Sequence, residues 1–248
     1  MRKIGPVLFA EERMGARGAC PAIVFDDARH MKAVATGASR LTILSPPYMP
    51  HHARGGKEAE YQLLRDLVKE CARVTAPDGV ISTYNTDMRD RGFLYARHLA
   101  VIYAAAEHGF VLADEKIRVR TYGRDLYRKG FSFILVFRRS RVRSGFNAHI
   151  QEYERDVWYL PKSQVVAGFR DAMPPEVPAI LIQNFTKPGE LVVSSCAGSG
   201  TVVIAALRMG RRAIGYEIDP TRRAVIEERE RRFGEYFSDP KMAEWLRA

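Results

Sequence analysis

The chain has 248 residues, 46% of them hydrophobic and 27% charged, with 19 Gly and 13 Pro, a balance that fits a globular protein of one or two domains and excludes collagen, disordered and knottin-like chains. No stretch approaches the ~18 to 20 continuous apolar residues of a membrane span, and the opening MRKIGPVLFAEERM turns acidic before an apolar signal core builds, so a cytoplasmic protein is expected. The formal net charge is +10, and residues 116–143 carry ten Lys or Arg against one acid, Asp125, a local charge of +9 that points to a polyanionic partner rather than an evenly solvated surface.

Short β-branched runs alternate with helical patterns, which predicts an α/β domain with a largely parallel sheet. In chain order, strands are expected at Ala22 to Phe25 and Leu41 to Leu44. A helix follows from about Glu58 to Val74; Tyr61, Leu64, Leu67, Val68 and Cys71 share one of its faces, and Ala76-Pro77-Asp78-Gly79 ends it. After a strand at Val80 to Tyr84, the segment from Val111 to Phe137 contains two β-rich arms, KIRVRTY and FSFILVF, joined by GRDLYRKG, the pattern of an antiparallel hairpin. From Arg138 to about Gly168 the pattern breaks down into a basic stretch containing GFNAH and WYLP, expected to be a small target-recognition insertion at about 138–170 within a single domain spanning 1–248. Strands at Leu191 to Ser194 and Ala213 to Tyr216 flank a helix from Thr201 to Gly210, and a charged helix follows Asp219-Pro220. No internal repeat is visible.

Two segments carry chemistry. LVVSSCAGSGTVVIAALRMGRRAIGYEID reads as strand, glycine-rich turn, helix, strand and terminal acid. Gly198 and Gly200 have no side chain to hold a ligand off the backbone at the entry to the helix. Glu217 stands where acids of doubly wound folds accept hydrogen bonds from a ribose diol. The order is not GxGxxG and no lysine follows the loop, which disfavours dinucleotide and triphosphate ligands. The second segment is LTILSPPYM, where a buried strand ends in Ser45-Pro46-Pro47-Tyr48. Neither proline has an N–H, so the ladder stops and the strand-end carbonyls are open to a ligand. Tyr48 adds a ring on which a base can stack. Cys20, Cys71 and Cys196 are widely spaced without a CxxC pair, which argues against disulfides and cysteine-ligated zinc, and no metal site is expected.

SPPY, CAGSGT and GYEID together resemble the amino-methyltransferases that transfer a methyl group from S-adenosylmethionine to an exocyclic amine of a DNA base; SPPY is the form associated with cytosine N4. IVFDDAR, ECARVTAPDGVIS, FSFILVFRR and MPPEVPAILIQNFTKPGELVV are similar to further segments of that family. With the catalytic motif N-terminal to the cofactor loop, the order is that of the circularly permuted β group. The resemblance implies a Rossmann-like methyltransferase fold, S-adenosylmethionine as cofactor, and a site-specific DNA methyltransferase producing N4-methylcytosine. It assigns Ser45, Pro46, Pro47 and Tyr48 to catalysis. Asp27, ahead of Asp26, goes to the cofactor's adenine amine, and Glu217 to its ribose. Ser194, Cys196, Ala197, Gly198, Ser199, Gly200 and Thr201 form the cofactor loop. Two departures stand out: Ser194-Ser195-Cys196 replaces the usual Asp-Pro-Phe, removing the acid expected near the cofactor's ammonium, and Met173-Pro174 stands where Lys-Pro is often found.

The mechanism so implied has the Ser45 hydroxyl and the Pro46 carbonyl accept the two N4 hydrogens and aim the amine's lone pair. No covalent intermediate is required, unlike cytosine C5 chemistry, which uses a cysteine usually placed after a proline; Cys20-Pro21 is the reverse order. The target cytosine would be flipped out of duplex DNA. Arg138, Arg139, Arg141 and Arg143 are the expected DNA contacts, whereas Arg124, Arg128 and Lys129 in the hairpin turn are backbone contacts or solvated. Double-stranded DNA is the implied partner, with a cognate restriction endonuclease, a homodimer and association with the nucleoid as further expectations. Two rival readings share the motifs: an RNA amino-methyltransferase, and a methyltransferase-like module that grips DNA without catalysis, for which the missing acid at Ser194 is the best support.

Overall fold

Strands β1 (Ile23–Val24), β2 (Ser39–Leu44), β3 (Thr75–Asn85), β4 (Met88–Asp90), β5 (Phe93–Tyr95), β6 (Val111–Val119), β7 (Phe131–Arg138), β8 (Val157–Trp158), β9 (Leu191–Ser194) and β10 (Arg212–Tyr216) alternate with helices α1 (Gly56–Val74), α2 (Arg97–Glu107), α3 (Glu176–Phe185), α4 (Thr201–Arg208) and α5 (Arg223–Arg231). The computed structural model describes residues 23–47, 56–90, 93–119, 130–139, 153, 155–160 and 172–232. Its main sheet has the order β1-β10-β9-β2-β3-β7-β6-β8, with β4 and β5 paired separately. Within the main sheet β7 alone runs against its neighbours, β3 and β6, and the other pairs are parallel; β4 and β5 pair antiparallel. The expected mostly parallel sheet with an antiparallel hairpin is therefore present.

Both faces of the sheet are covered, which is why its strands are nearly continuous runs of apolar residues. On one face Leu41, Ile43, Val192, Ile134 and Val136 pack with α3 and α4. On the other, Leu44, Ile81, Val193, Leu135 and Phe137 pack with α1 and α2. The predicted α1 stripe is buried at Leu64, Leu67, Val68 and Cys71. Neither α2 nor the β4–β5 pair was expected from the sequence. The inward stripe of α2 opens on Arg97, a charged residue that is nonetheless fully buried, and a charge at a core position hides the apolar period.

Part of the stretch expected to be an insertion belongs to the domain's own core. Strand β8 adds to the sheet edge beside β6, and Tyr153 and Trp158 are buried, with Tyr153 edge-on to Phe185 of α3. Residues 140–152, 154 and 161–171 lie outside the described residues.

The connections create a crevice. From β2 the chain passes through α1 to β3, and from the adjacent β9 it passes through α4 to β10 in the opposite direction across the sheet. Adjacent strands feeding opposite ways leave a gap beyond their carboxyl ends, where ligands of open α/β sheets bind. Leu44 and Ser194, the last residues of β2 and β9, place SPP and the glycine loop on either side of it.

Candidate active site

The SPP turn is held from behind. The Ser195 N–H donates to the Ile43 carbonyl at 3.1 Å, tying the two loops together at their base. Prolines 46 and 47 cannot donate, so the turn is anchored through an acceptor: the Pro47 carbonyl takes a hydrogen bond from Arg97 Nη2 at 2.7 Å. Arg97 is 0% exposed, and its Nε lies 2.6 Å from Glu60 Oε1 of α1. This buried ion pair joins α1, α2 and the turn. Sequence inspection missed both residues; a charged pair at inward positions of two helices was the available signal.

The glycine loop is shaped by its own backbone and by Glu217. Ala197 N–H donates to the Tyr216 carbonyl at 2.7 Å. The Glu217 carboxylate accepts Gly198 N–H at 2.7 Å and Asp219 N–H at 3.0 Å, so the acid is aimed before any ligand arrives. Gly200, at the N-cap of α4, has φ +78°, and a Cβ there would stand 2.9 Å from Ile226 Cγ2 of α5. The need for glycine at 200 thus comes from the left-handed backbone and the packing of α5, not from the approach of a ligand.

Asp27 caps the short 3-10 turn 28–30, accepting Arg29 N–H at 2.9 Å, and is clasped by the Arg29 guanidinium at 2.5 to 3.0 Å. The Arg29 hydrogen bonds hold the Asp27 carboxyl below its ordinary range. Burial pushes the Cys196 and Cys71 thiols up to about 12, so neither is a thiolate at neutral pH.

These pieces converge on one cavity of about 550 Å³. Ser45, Pro46 and Pro47 line it together with Cys196, Ala197, Gly198, Ser199 and Thr201, and with Asp27 and Glu217. Two expected cofactor residues do not line it. Ser194 is 1% exposed within β9, and Gly200 faces α5. Lining residues not anticipated include Leu63 and Leu67 of α1, Met173, and Ile218, whose apolar side chain is 70% exposed directly after Glu217. Tyr48 lies outside the described residues.

Comparison with known families decides the class. Residues 40–228 match the N6/N4-methyltransferase family described as DNA methylase. The chain belongs to that family. Among curated relatives, the type II methyltransferase M.MjaI of Methanocaldococcus jannaschii is 30% identical over 113 residues, covering 39% of this chain and 37% of the relative, so the match spans little more than a third of that protein's length. Among solved structures, the fold resembles the cytosine-N4-specific PvuII DNA methyltransferase, with a TM-score of 0.72 at 16% identity over 92% of this chain and 94% of that one. It also resembles TTHA0409 of Thermus thermophilus, a DNA modification methylase candidate solved with S-adenosyl-L-methionine, with a TM-score of 0.69 at 24% identity over 85% of this chain and 93% of the other. The expected Rossmann-like methyltransferase fold is thereby found.

Four cations of the basic segment fall among the described residues. Because β7 is antiparallel, Arg138 and Arg139 come at the end of the sheet opposite the cavity, paired with the start of Val80–Asn85. Arg138 is 9% exposed and stacks over Phe185; burial lowers its pKa. Arg139 donates to the carbonyls of Ala72 at 2.5 Å and Thr75 at 3.3 Å and covers the Phe110 ring, closing the C-terminus of α1. Lys116 pairs with Asp114, and Arg118 bonds the Tyr84 hydroxyl at 3.0 Å. These four cations have structural partners, Arg138 and Arg139 among them. Arg141, Arg143, and the turn residues Arg124, Arg128 and Lys129 lie outside the described residues.

Proposed function

We propose that this protein transfers a methyl group from S-adenosylmethionine to N4 of a cytosine flipped out of duplex DNA. The observation that carries the reading is the single cavity shared by SPP and the glycine loop, whose motifs lie about 150 residues apart in the chain and meet because β2 and β9 are neighbours. The residues present fit the cofactor. Glu217, held by two backbone N–H groups, keeps acceptor capacity for a ribose diol, Asp27 lines the cavity and is available to the adenine amine, and the exposed Ile218 offers an apolar wall to a planar base. When bound, the cofactor supplies an electrophilic sulfonium methyl group.

The protein's task is to make a poor nucleophile competent. The cytosine amine is conjugated with its ring, and two acceptors on its hydrogens hold it pyramidal. The Ser45 hydroxyl and the Pro46 carbonyl are those acceptors; the Pro47 carbonyl is already engaged by Arg97 and takes no part. Tyr48 stacks on the flipped base, whose extrusion costs a few kcal/mol. A neutral Cys196 agrees with direct transfer and no enzyme–base adduct. Serine at the head of the motif and tyrosine at its end support cytosine over adenine.

Incubating duplex DNA and structured RNA with the protein and S-adenosylmethionine, then analysing digested nucleosides by mass spectrometry, tests this. N4-methylcytosine in the DNA is expected. N6-methyladenine or 5-methylcytosine as the main product overturns the base assignment, and methylation confined to RNA overturns the substrate. Cofactor binding without transfer to either polymer would favour the non-catalytic module.

A further inference from the structure

Beside the proline turn, a chain of polar side chains crosses β3, β7 and β6 at the cavity end of the sheet. Leu44 of β2 pairs with Thr83 of β3, so the next residues along, Ser45 and Tyr84, are neighbours on adjacent strands. The two-residue period that runs through Leu41 and Ile43 brings Ser45 to the core layer that also holds Tyr84, Ile134 and Val136. The registers set Ser132 of β7 and Arg118 of β6 on the same face. Tyr84, Thr86, Arg118 and Ser132 are all buried. Arg118 Nη1 donates to the Tyr84 hydroxyl at 3.0 Å, the Ser132 hydroxyl donates to the same oxygen at 3.3 Å, and the Thr86 and Ser132 hydroxyls stand 2.7 Å apart. Neither the proline motif nor the glycine loop includes any of these four residues.

A guanidinium donates and cannot accept. The Tyr84 oxygen therefore accepts from Arg118 and again from Ser132, and its own O–H is spent on neither; among the described residues it meets no acceptor. A buried donor left in that condition is costly, and a ligand that brings an acceptor relieves it. The position of the donor limits which acceptor that is. Strands β2 and β7 are two strand spacings apart, about 10 Å, and the bond from Ser132 draws the Tyr84 hydroxyl toward β7. A base reaching from Ser45 to this hydroxyl has to present polar atoms at the two ends of one edge. Cytosine does so: its N4 amine donates at one end and its O2 carbonyl accepts at the other, with N3 between them. Adenine carries a C–H where cytosine has O2.

We propose that Tyr84 selects cytosine by donating to O2 of the flipped base, and that Arg118 is a positioning residue that commits the phenol to donate. The inference rests on the cytosine reading above and deepens it: the base is chosen at the O2 end of its edge by β3 and β6, in addition to the N4 end held by the proline motif. Arg118, one of the cations of the basic segment, thereby acts inside the site and not on a phosphate.

Duplex DNA copied by a polymerase with cytosine, or with 2-thiocytosine in its place, tests this, because sulfur at position 2 is a weak acceptor and the N4 amine is kept. The wild-type full chain is expected to methylate cytosine DNA with a kcat/KM about tenfold above that for the 2-thio DNA, as for one hydrogen bond lost. Tyr84→Phe lowers the cytosine value by about that factor and brings the two DNAs within about twofold of each other, while S-adenosylhomocysteine affinity, measured by calorimetry, stays within about twofold of wild type. Arg118→Met has the same effect, since the phenol is then free to turn its proton toward Ser132; Tyr84→Phe, which keeps the ring, carries the test by itself should the arginine variant fail to fold. A Tyr84→Phe protein that keeps the tenfold preference overturns the proposal, as does a wild type that treats the two DNAs alike. A wild type that makes N6-methyladenine and no N4-methylcytosine refutes the cytosine reading instead.

Discussion

Replacing Arg97 with Met separates fold stability from catalytic geometry. The guanidinium is 0% exposed, 2.6 Å from Glu60 and 2.7 Å from the Pro47 carbonyl. Removing one member of a buried ion pair costs about 3 to 5 kcal/mol, because the remaining charge stays desolvated. For a chain of this size that is a fall in Tm of about 6 to 20 °C, measured by calorimetry or circular dichroism. Adding Glu60→Gln removes the stranded charge, and most of the lost stability is expected to return. Turnover should not return with it. The Pro47 carbonyl still lacks its donor, and a shift of about 1 Å at Ser45 and Pro46 lowers kcat roughly 100-fold while leaving cofactor affinity near its original value. Recovery of kcat in step with Tm in the double variant would refute the role given to Arg97 in holding the turn; an unchanged Tm in the single variant would refute the ion pair.

Glu217→Ala should weaken S-adenosylmethionine binding by about 1.5 to 3 kcal/mol, since a charged acceptor is lost and Gly198 N–H loses its partner; an unaltered dissociation constant removes Glu217 from the site. Ser194→Asp, which restores the family's acid, is expected to destabilise the fold by several kcal/mol without tightening cofactor binding, because residue 194 is enclosed in β9; tighter binding would show that the side chain reaches the cavity. Arg139→Ala should lower stability by about 1 to 2 kcal/mol and leave the salt dependence of DNA binding unchanged, whereas neutralising Arg141 and Arg143 should lower that slope by about one unit for each phosphate they neutralise in the complex; the opposite pattern would return Arg139 to the DNA surface. Cys196→Ala should retain turnover within about threefold, and wild-type activity should resist thiol alkylation at pH 7.5, because burial keeps the thiol protonated up to about 12; loss of transfer together with a trapped enzyme–base adduct would establish covalent chemistry.

Local pattern made the strands and motif ends legible. Leu191–Ser194 matches the predicted strand residue for residue, and α1 begins two residues before the predicted Glu58 and ends at the predicted Val74, since alternating apolar periods report burial directly. The antiparallel β6–β7 pair was legible for the same reason. The start of β3 was not. Pro77 and Gly79 read as a helix stop, yet residues from Thr75 on already pair with β2 through a register shift near Ser39 and Leu41. That shift depends on a neighbouring strand, which no local period records.

What the sequence determined by itself is the chemistry at each short segment: a proline pair that cannot continue a ladder, a glycine turn entering a helix, an acid at the end of the next strand. The tertiary structure decided which of these side chains meet. The order β9-β2 brings Ser45 to Ser199 and Thr201 around one cavity, and the packing of α2 adds Arg97, which no motif announced. It also placed two members of the charge cluster: the reversed direction of β7 carries Arg138 and Arg139 to the far end of the sheet, where they stack on rings and, at Arg139, close a helix end. A count of charges along the chain holds no information about strand direction, and strand direction is what selects the end of the sheet on which a charge arrives.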